Sequence, residues 1–142
     1  MASTIWEILG LAWYHWKKGN YNPILCAYIV TMHVCALIGM VRIFDCKWQT
    51  LVLALSLWPI SGLGITAGAH RLWAHRSYKA KAPYRILLML MNAIASQRTI
   101  FDWVREHRAH HKYSDTSADP YDASRGLFYS HIGWLLLKKS PR

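Results

Sequence analysis

Charged and apolar positions separate along this chain into long blocks. From Gly19 to Val41 there is no Asp, Glu, Lys or Arg, and from Gln49 to Ala69 there is none either. Windows of about 20 residues are what an α-helix needs to cross a hydrocarbon core of roughly 30 Å. The pattern predicts two membrane-spanning helices, at about 23–41 and 49–69, with Arg42 to Trp48 as a short loop between them. Pro59, Gly62, Gly64 and Gly68 fall in the second window. They would weaken a soluble helix, yet they are tolerated in spans, where neighbouring helices re-satisfy the backbone. The competing reading is a buried helical hairpin of a soluble protein. It is disfavoured because so short a chain leaves too little polar surface to cover two apolar rods.

Beyond His70 the chain alternates basic and apolar stretches. Arg71 to Arg85 is basic and contains Pro83, and Ile86 to Gln97 is apolar for only 12 residues. That is too short to span, so it is expected to lie at the interface or to pack beneath the membrane helices. TIFDWVREHRAHHKYS reads as a helix, with Ile100, Trp103 and Val104 in an i, i+3, i+4 stripe. SDTSADPYDASRG is a loop by its Asp, Ser, Pro and Gly content, and LFYSHIGWLLLKK is a second short apolar segment. Residues 1–22 form a lead-in with Glu7 early, no basic n-region, and Lys17 and Lys18 after the apolar stretch. That order fits a short amphipathic or interfacial segment rather than a cleaved signal peptide.

Composition and charge then narrow the function classes. A hydrophobic content of 54% with eight tryptophans is heavy for a soluble domain of 142 residues. The net charge of +10 is uneven, with 13 of the 17 Lys and Arg after Ala69. Basic chains can bind nucleic acid, but no zinc-finger spacing or aromatic RNA-binding signature accompanies the charge here. The positive-inside rule accounts for it: Lys17, Lys18 and the basic stretch after the second span are cytosolic, and Arg42 to Trp48 lies on the far side. Every histidine after Ala69 is then in, or facing, the cytosol. Cys26, Cys35 and Cys46 form an odd set, read as small apolar fillers with no disulfide framework.

Histidine is where chemistry concentrates. His107, His110 and His111 share an arc of about 100° on one helix face. Upstream, HRLWAH sets His70 and His75 five apart, which on a regular α-helix points them about 140° apart. Rings so placed do not easily bind one ion; they suit two neighbouring ions, or binding across a helix end. Imidazoles near headgroups can also simply hydrogen-bond phosphates. Two clusters on one side of a membrane, in a chain with few other histidines, favour a metal. Five imidazoles without cysteine suit Fe, Zn, Cu or Ni. Beside apolar segments the substrate is expected to be lipid-soluble, and iron is the better choice because attack on an unactivated C–H bond needs redox chemistry that zinc lacks. His15, His33 and His131 stand alone and read as structural or interfacial hydrogen-bonding residues.

GITAGAHRLWAHRSYKAK, FDWVREHRAHHKYSDTSADP and SRGLFYSHIGWLLLKK closely resemble the membrane acyl-CoA desaturases of the stearoyl-CoA Δ9 type, the insect relatives in particular. The similarity covers about Met32 to Pro141, and an HxxxxH box paired with an HxxHH box in these flanks is highly specific. The resemblance implies an all-α membrane protein, two transmembrane helices plus cytosolic or interfacial helices carrying histidine boxes, which is half of a four-span fold. It implies residues 23–142 as a partial desaturase domain, with its cytosolic cap at 70–142, preceded by the divergent lead-in 1–22. It further implies a non-haem di-iron centre that removes two hydrogens from a fatty acyl-CoA with O2 and electrons from cytochrome b5, in the endoplasmic reticulum membrane and among its lipids, with no nucleic-acid partner.

By motif match, His70, His75, His107, His110 and His111 are implied iron ligands; Arg98, Arg105, Glu106, Lys138 and Lys139 implied contacts of the coenzyme A headgroup; and Gln97 and Trp103 the bend of the acyl tunnel, with Trp58 near its closed end. Arg and Lys suit phosphates, and an apolar tunnel holds an acyl chain at about 0.8 kcal/mol per buried CH2. Departures are also visible. The family's third histidine box and last two spans would lie beyond Arg142, and Leu25 stands where an Asn before the first span is usual. Arg98 stands where Asn is common and Glu106 where Asp is common. The isolated chain is therefore expected to be inactive. A related histidine-box hydroxylase, or a non-catalytic lipid-binding or regulatory fragment, are the alternative readings.

Overall fold

The computed structural model describes residues 4–138; these are mainly helical, with one isolated antiparallel bridge, Tyr21 to Leu137. Two compact units are present, one from Asp45 to Lys112 and the other from the segments on either side of it.

In the flanking unit, α1 (Ile5–Lys17) opens with a capping box: the Thr4 N–H donates to Glu7 at 2.8 Å and the Glu7 N–H to the Thr4 hydroxyl at 3.4 Å. Gly19 turns the chain at φ 62, a left-handed conformation that suits glycine. Asn22 then caps α2 (Pro23–Val41), accepting from the Leu25 N–H at 3.2 Å, with Pro23 in the first helical turn, where its missing N–H costs nothing. At 1.5 Å per residue the 19 residues of α2 reach about 28 Å. None of them is buried, and the helix is apolar on every side. Among the described residues only its first turns are partly covered, at Leu25, Cys26 and Ile29, and an apolar rod so exposed over the rest of its length suits lipid. The buried-hairpin alternative therefore fails on α2. The loop after residue 113 leads to a 3-10 turn (Ala123–Arg125), a short π-helix (Tyr129–Gly133) and α6 (Trp134–Leu136). Their end is tied back by the Asn22 N–H to the Leu136 carbonyl at 2.8 Å and the Lys138 N–H to the Asn20 carbonyl at 2.6 Å.

In the central unit, α3 (Trp48–Leu63) runs without interruption into a π-helix, π1 (Gly64–Ala74), giving a 27-residue apolar rod long enough to cross a membrane. The rod overshoots the expected end at Ala69 by five residues. The charge-free window marks where lipid solubility stops, and the backbone hydrogen bonding continues past it, carrying His70 and the exposed Arg71 on the helix. Where the helix widens, the Thr66 hydroxyl donates to the Gly62 carbonyl at 2.8 Å, competing for an acceptor of the α ladder.

Beside this rod packs α4 (Ala82–Ile94), which buries Leu88 and Asn92. It starts earlier than expected because Pro83 fits the first helical turn, and it stops at Ile94, short of Gln97, as Ser96 takes a positive φ of 53. Gly64 makes the approach possible. A Cβ there would lie 2.3 Å from the Asn92 nitrogen and 2.4 Å from the Met91 carbonyl carbon, and one on Gly68 3.4 Å from Leu88 Cβ. Two small residues four apart let two helix backbones meet, as in membrane helix pairs. Helix α5 (Ile100–Tyr113) follows. The arrangement is that of an all-α membrane protein.

Candidate metal centre

The first histidine box sits on π1. Its last turn closes through an i to i+5 hydrogen bond, the His75 N–H to the His70 carbonyl at 2.9 Å. In such a helix five residues make about one turn. His70 and His75 are therefore neighbours, with ring centroids 4.6 Å apart and edge to face. The expected 140° divergence holds only for a regular α-helix, and the expectation that these two rings do not easily share an ion is corrected accordingly.

The second box is set by the start of α5. The Thr99 hydroxyl accepts from the Asp102 N–H at 3.1 Å and donates to the Asp102 carboxylate at 2.7 Å, fixing the first turn. From there His107 and His111, one turn apart, face the first box. His107 Nε2 stands 3.1 Å from His75 Nε2 and 3.0 Å from His111 Nε2. The donor atoms of His70, His75, His107 and His111 all lie within 4.8 Å of one another.

A neutral imidazole nitrogen either donates one proton or accepts one. His107 Nε2 cannot form a full hydrogen bond to both neighbours, so lone pairs are brought together here. Two nitrogens bound to one ion at about 2.0–2.1 Å each lie roughly 3 Å apart, which is the spacing found. The donor set thus fits a transition-metal ion on the chemistry and on the distances. Burial first, then the neighbouring His111, His70, His75 and His110, pushes the His107 pKa down to about 4, so its ring is neutral and available as a ligand at pH 7.

Other expected site residues fall into distinct places. His110 is adjacent but outside the four, its ring centroid 6.4 Å from that of His107 and 5.6 Å from that of His111. Trp103 stacks on His107 at 4.6 Å and 25°, and its indole N–H donates to the Gln97 side-chain oxygen at 2.9 Å. The two expected tunnel-bend residues are thus joined to each other and to a histidine. Glu106 is buried and bonded to Arg98, whereas Arg105 is exposed and bonds Asp102 at 3.0 Å. Trp58 is exposed on α3. Lys138 belongs to the flanking unit, and Lys139 lies outside the described residues. The lone His15 accepts from the Asn20 amide at 3.3 Å, and His33 Nδ1 donates to the Ile29 carbonyl of its own helix at 2.8 Å, both structural bonds. Sequence reading passed over Arg108, whose guanidinium reaches the carbonyls of Trp73 and Ala74. Its signal was its place inside the second box.

The profile of the fatty acid desaturase family matches residues 47–142. An acyl-CoA Delta(11) desaturase of Spodoptera littoralis is 53% identical over 122 residues, covering 85% of this chain and 35% of that protein. An acyl-CoA Delta-9 desaturase of Acheta domesticus is 54% identical, covering 84% and 33%, and a stearoyl-CoA desaturase of Sus scrofa 50%, covering 78% and 31%. The chain spans about a third of the length of the curated relatives it matches. With both histidine boxes inside the matched region and their rings meeting in the fold, the chain belongs to the fatty acid desaturase family.

Proposed function

We propose that this chain supplies the first two histidine boxes of an acyl-CoA desaturase, which forms a double bond in a fatty acyl chain at a di-iron centre using O2 and two electrons. The observation that carries the reading is the convergence of four imidazoles from two separate elements at the end of an apolar rod. His70, His75, His107 and His111 would hold the metal, and His110, adjacent to them, would be the candidate ligand for a second ion. Iron, when bound, supplies the one-electron chemistry with O2 that an unactivated C–H bond demands.

What the chain's own residues do is binding and orientation. The stacked Trp103, held by Gln97, gives a rigid apolar wall against which an acyl chain turns, so the carbon beside the histidines is chosen by geometry. Exposed Arg105 is the first candidate for a phosphate of the coenzyme A headgroup, since its guanidinium is accessible and suits phosphate. Arg98, Glu106, Lys138 and Lys139 are the further headgroup candidates, and Trp58 the candidate for the tunnel end. Cytochrome b5 would deliver electrons from the cytosolic side of the endoplasmic reticulum membrane, which the basic segment after the second span supports.

The test is a chimera in which residues 23–142 replace the matching segment of a full-length relative, expressed in yeast lacking its own desaturase. Gas chromatography of the lipids is expected to show unsaturated acyl chains, falling at least 100-fold when His70→Ala and His107→Ala are combined. Hydroxylated chains instead, or double bonds forming at an undiminished rate in the double variant, would overturn the reading.

A further inference from the structure

Helix α5 buries no apolar side chain fully: its one buried residue is Glu106, and Trp103, Val104 and Ala109 are half-buried. Besides the ring contacts of Trp103, His107 and His111 with His70 and His75, a polar attachment fastens it to π1. The Arg108 Nε donates to the Ala74 carbonyl at 3.0 Å and its Nη2 to the Trp73 carbonyl at 2.8 Å. These are the last two carbonyls of π1. A helix end leaves its final carbonyls without partners inside the helix and carries partial negative charge, so a cation with a planar pair of donors suits it. Carbonyls further back are met locally, that of His70 by the His75 N–H at 2.9 Å and that of Arg71 by the Ser77 N–H at 2.9 Å and its hydroxyl at 3.1 Å. Arg76 then takes a positive φ of 52, turning the chain away. The final pair is capped from 34 and 35 positions away in sequence.

We infer that Arg108 is a positioning residue, a clamp that ties the end of the first histidine box to the second and so holds the four imidazoles in register before a metal binds. The clamp joins Ala74, which precedes His75, to Arg108, which follows His107, and the Nε2 atoms of those two histidines are the pair 3.1 Å apart. A slip of α5 along π1 would open that spacing, and the guanidinium opposes the slip because its two donors engage two successive carbonyls. Lysine keeps the charge but offers a single point of attachment. The metal part of this inference rests on the proposed metal site; the clamp itself does not.

The experiment uses the full chain in lipid nanodiscs, with Arg108→Met, Arg108→Lys and, as a charge control, Arg76→Met. Amide hydrogen exchange is followed without metal, and Co2+ is titrated by visible absorption. Arg108→Met is expected to speed exchange at the His75 and Ser77 amides at least 10-fold and to weaken Co2+ binding about 10- to 100-fold, the range for residues that orient metal ligands. Arg108→Lys should recover part of both and Arg76→Met should behave as wild type. If Arg108→Met fails to fold, the lysine variant carries the comparison. Wild-type exchange in the Arg108 variants overturns the clamp. A wild-type chain that takes up no Co2+ counts against the metal site, and the exchange arm then decides the clamp alone.

Discussion

Arg98 holds a positive φ of 67, a conformation that costs a residue with a Cβ roughly 1–2 kcal/mol. Asn, common at this place in the family, tolerates that backbone better. The compensation is Glu106, a carboxylate only 5% exposed that bonds the Arg98 guanidinium. Removing one partner of such a pair leaves a charge in a poorly hydrated place, which costs more than the pair contributes in net stability. Arg105 also binds a carboxylate, but its side chain is 57% exposed, and solvent-screened pairs contribute at most about 1 kcal/mol. Arg98→Ala is therefore expected to destabilise the chain by about 3 kcal/mol in reversible denaturation in mixed micelles, and Arg105→Ala by less than about 1 kcal/mol. Equal losses would show that burial of Glu106 does not decide the energetics. The contrast also separates two headgroup candidates: Arg105 can be changed to probe binding without unfolding the site, and Arg98 cannot.

At the level of elements, the close approach of α4 to π1 depends on glycine at one position and tolerates a side chain at a nearby one. A Cβ at Gly64 would meet the backbone of Met91 and Asn92, which cannot swing aside as a side chain would, whereas Gly62 has nothing within 4 Å. Gly64→Ala should cost about 1–3 kcal/mol in the same denaturation experiment, as overpacking does, and Gly62→Ala should be neutral or stabilising by up to about 1 kcal/mol, as helix propensity dictates. Indistinguishable variants would mean that α4 does not pack against π1 as described. The four glycines and prolines of this window were legible in the sequence only as residues a span tolerates. The bounds of α2 and α5 were readable because a charge-free window and an i, i+3, i+4 stripe are local signals. The π-helical turn was not readable. Its neighbours are distant in sequence, the Met91–Asn92 backbone beside Gly64 and the guanidinium of Arg108 at its end, and no periodicity of HRLWAH announces them. With the helix type unknown, the five-residue interval gave the wrong angle between His70 and His75, although the clustering of histidine in two boxes was readable from residue identity alone.

For the molecule as a whole, the exposed apolar sides of α2 and α3 need a solvent other than water, and the uneven charge gives that solvent an orientation. Cys35, six residues before the end of α2, and Cys46, between the two spanning helices, are both exposed in the fold, so their reactivity in a membrane reports surroundings rather than packing. Lys79, exposed in the basic stretch after π1, marks the side that carries the histidine boxes. If the boxes face the cytosol, a membrane-impermeant maleimide added to sealed microsomes should modify Lys79→Cys at once, in a chain otherwise lacking cysteine. It should reach Cys46, as the sole cysteine, only after the membrane is permeabilised. Cys35 should stay unmodified in either condition, since a thiol ionises and reacts poorly in hydrocarbon. Cys46 reacting in sealed vesicles as fast as Lys79→Cys would mean that the second apolar rod, α3 with π1, does not separate the two sites by a bilayer. The positive-inside assignment of sides would then fail, because the 13 of the 17 basic residues that follow Ala69 would no longer be separated by a bilayer from Arg42 and Lys47.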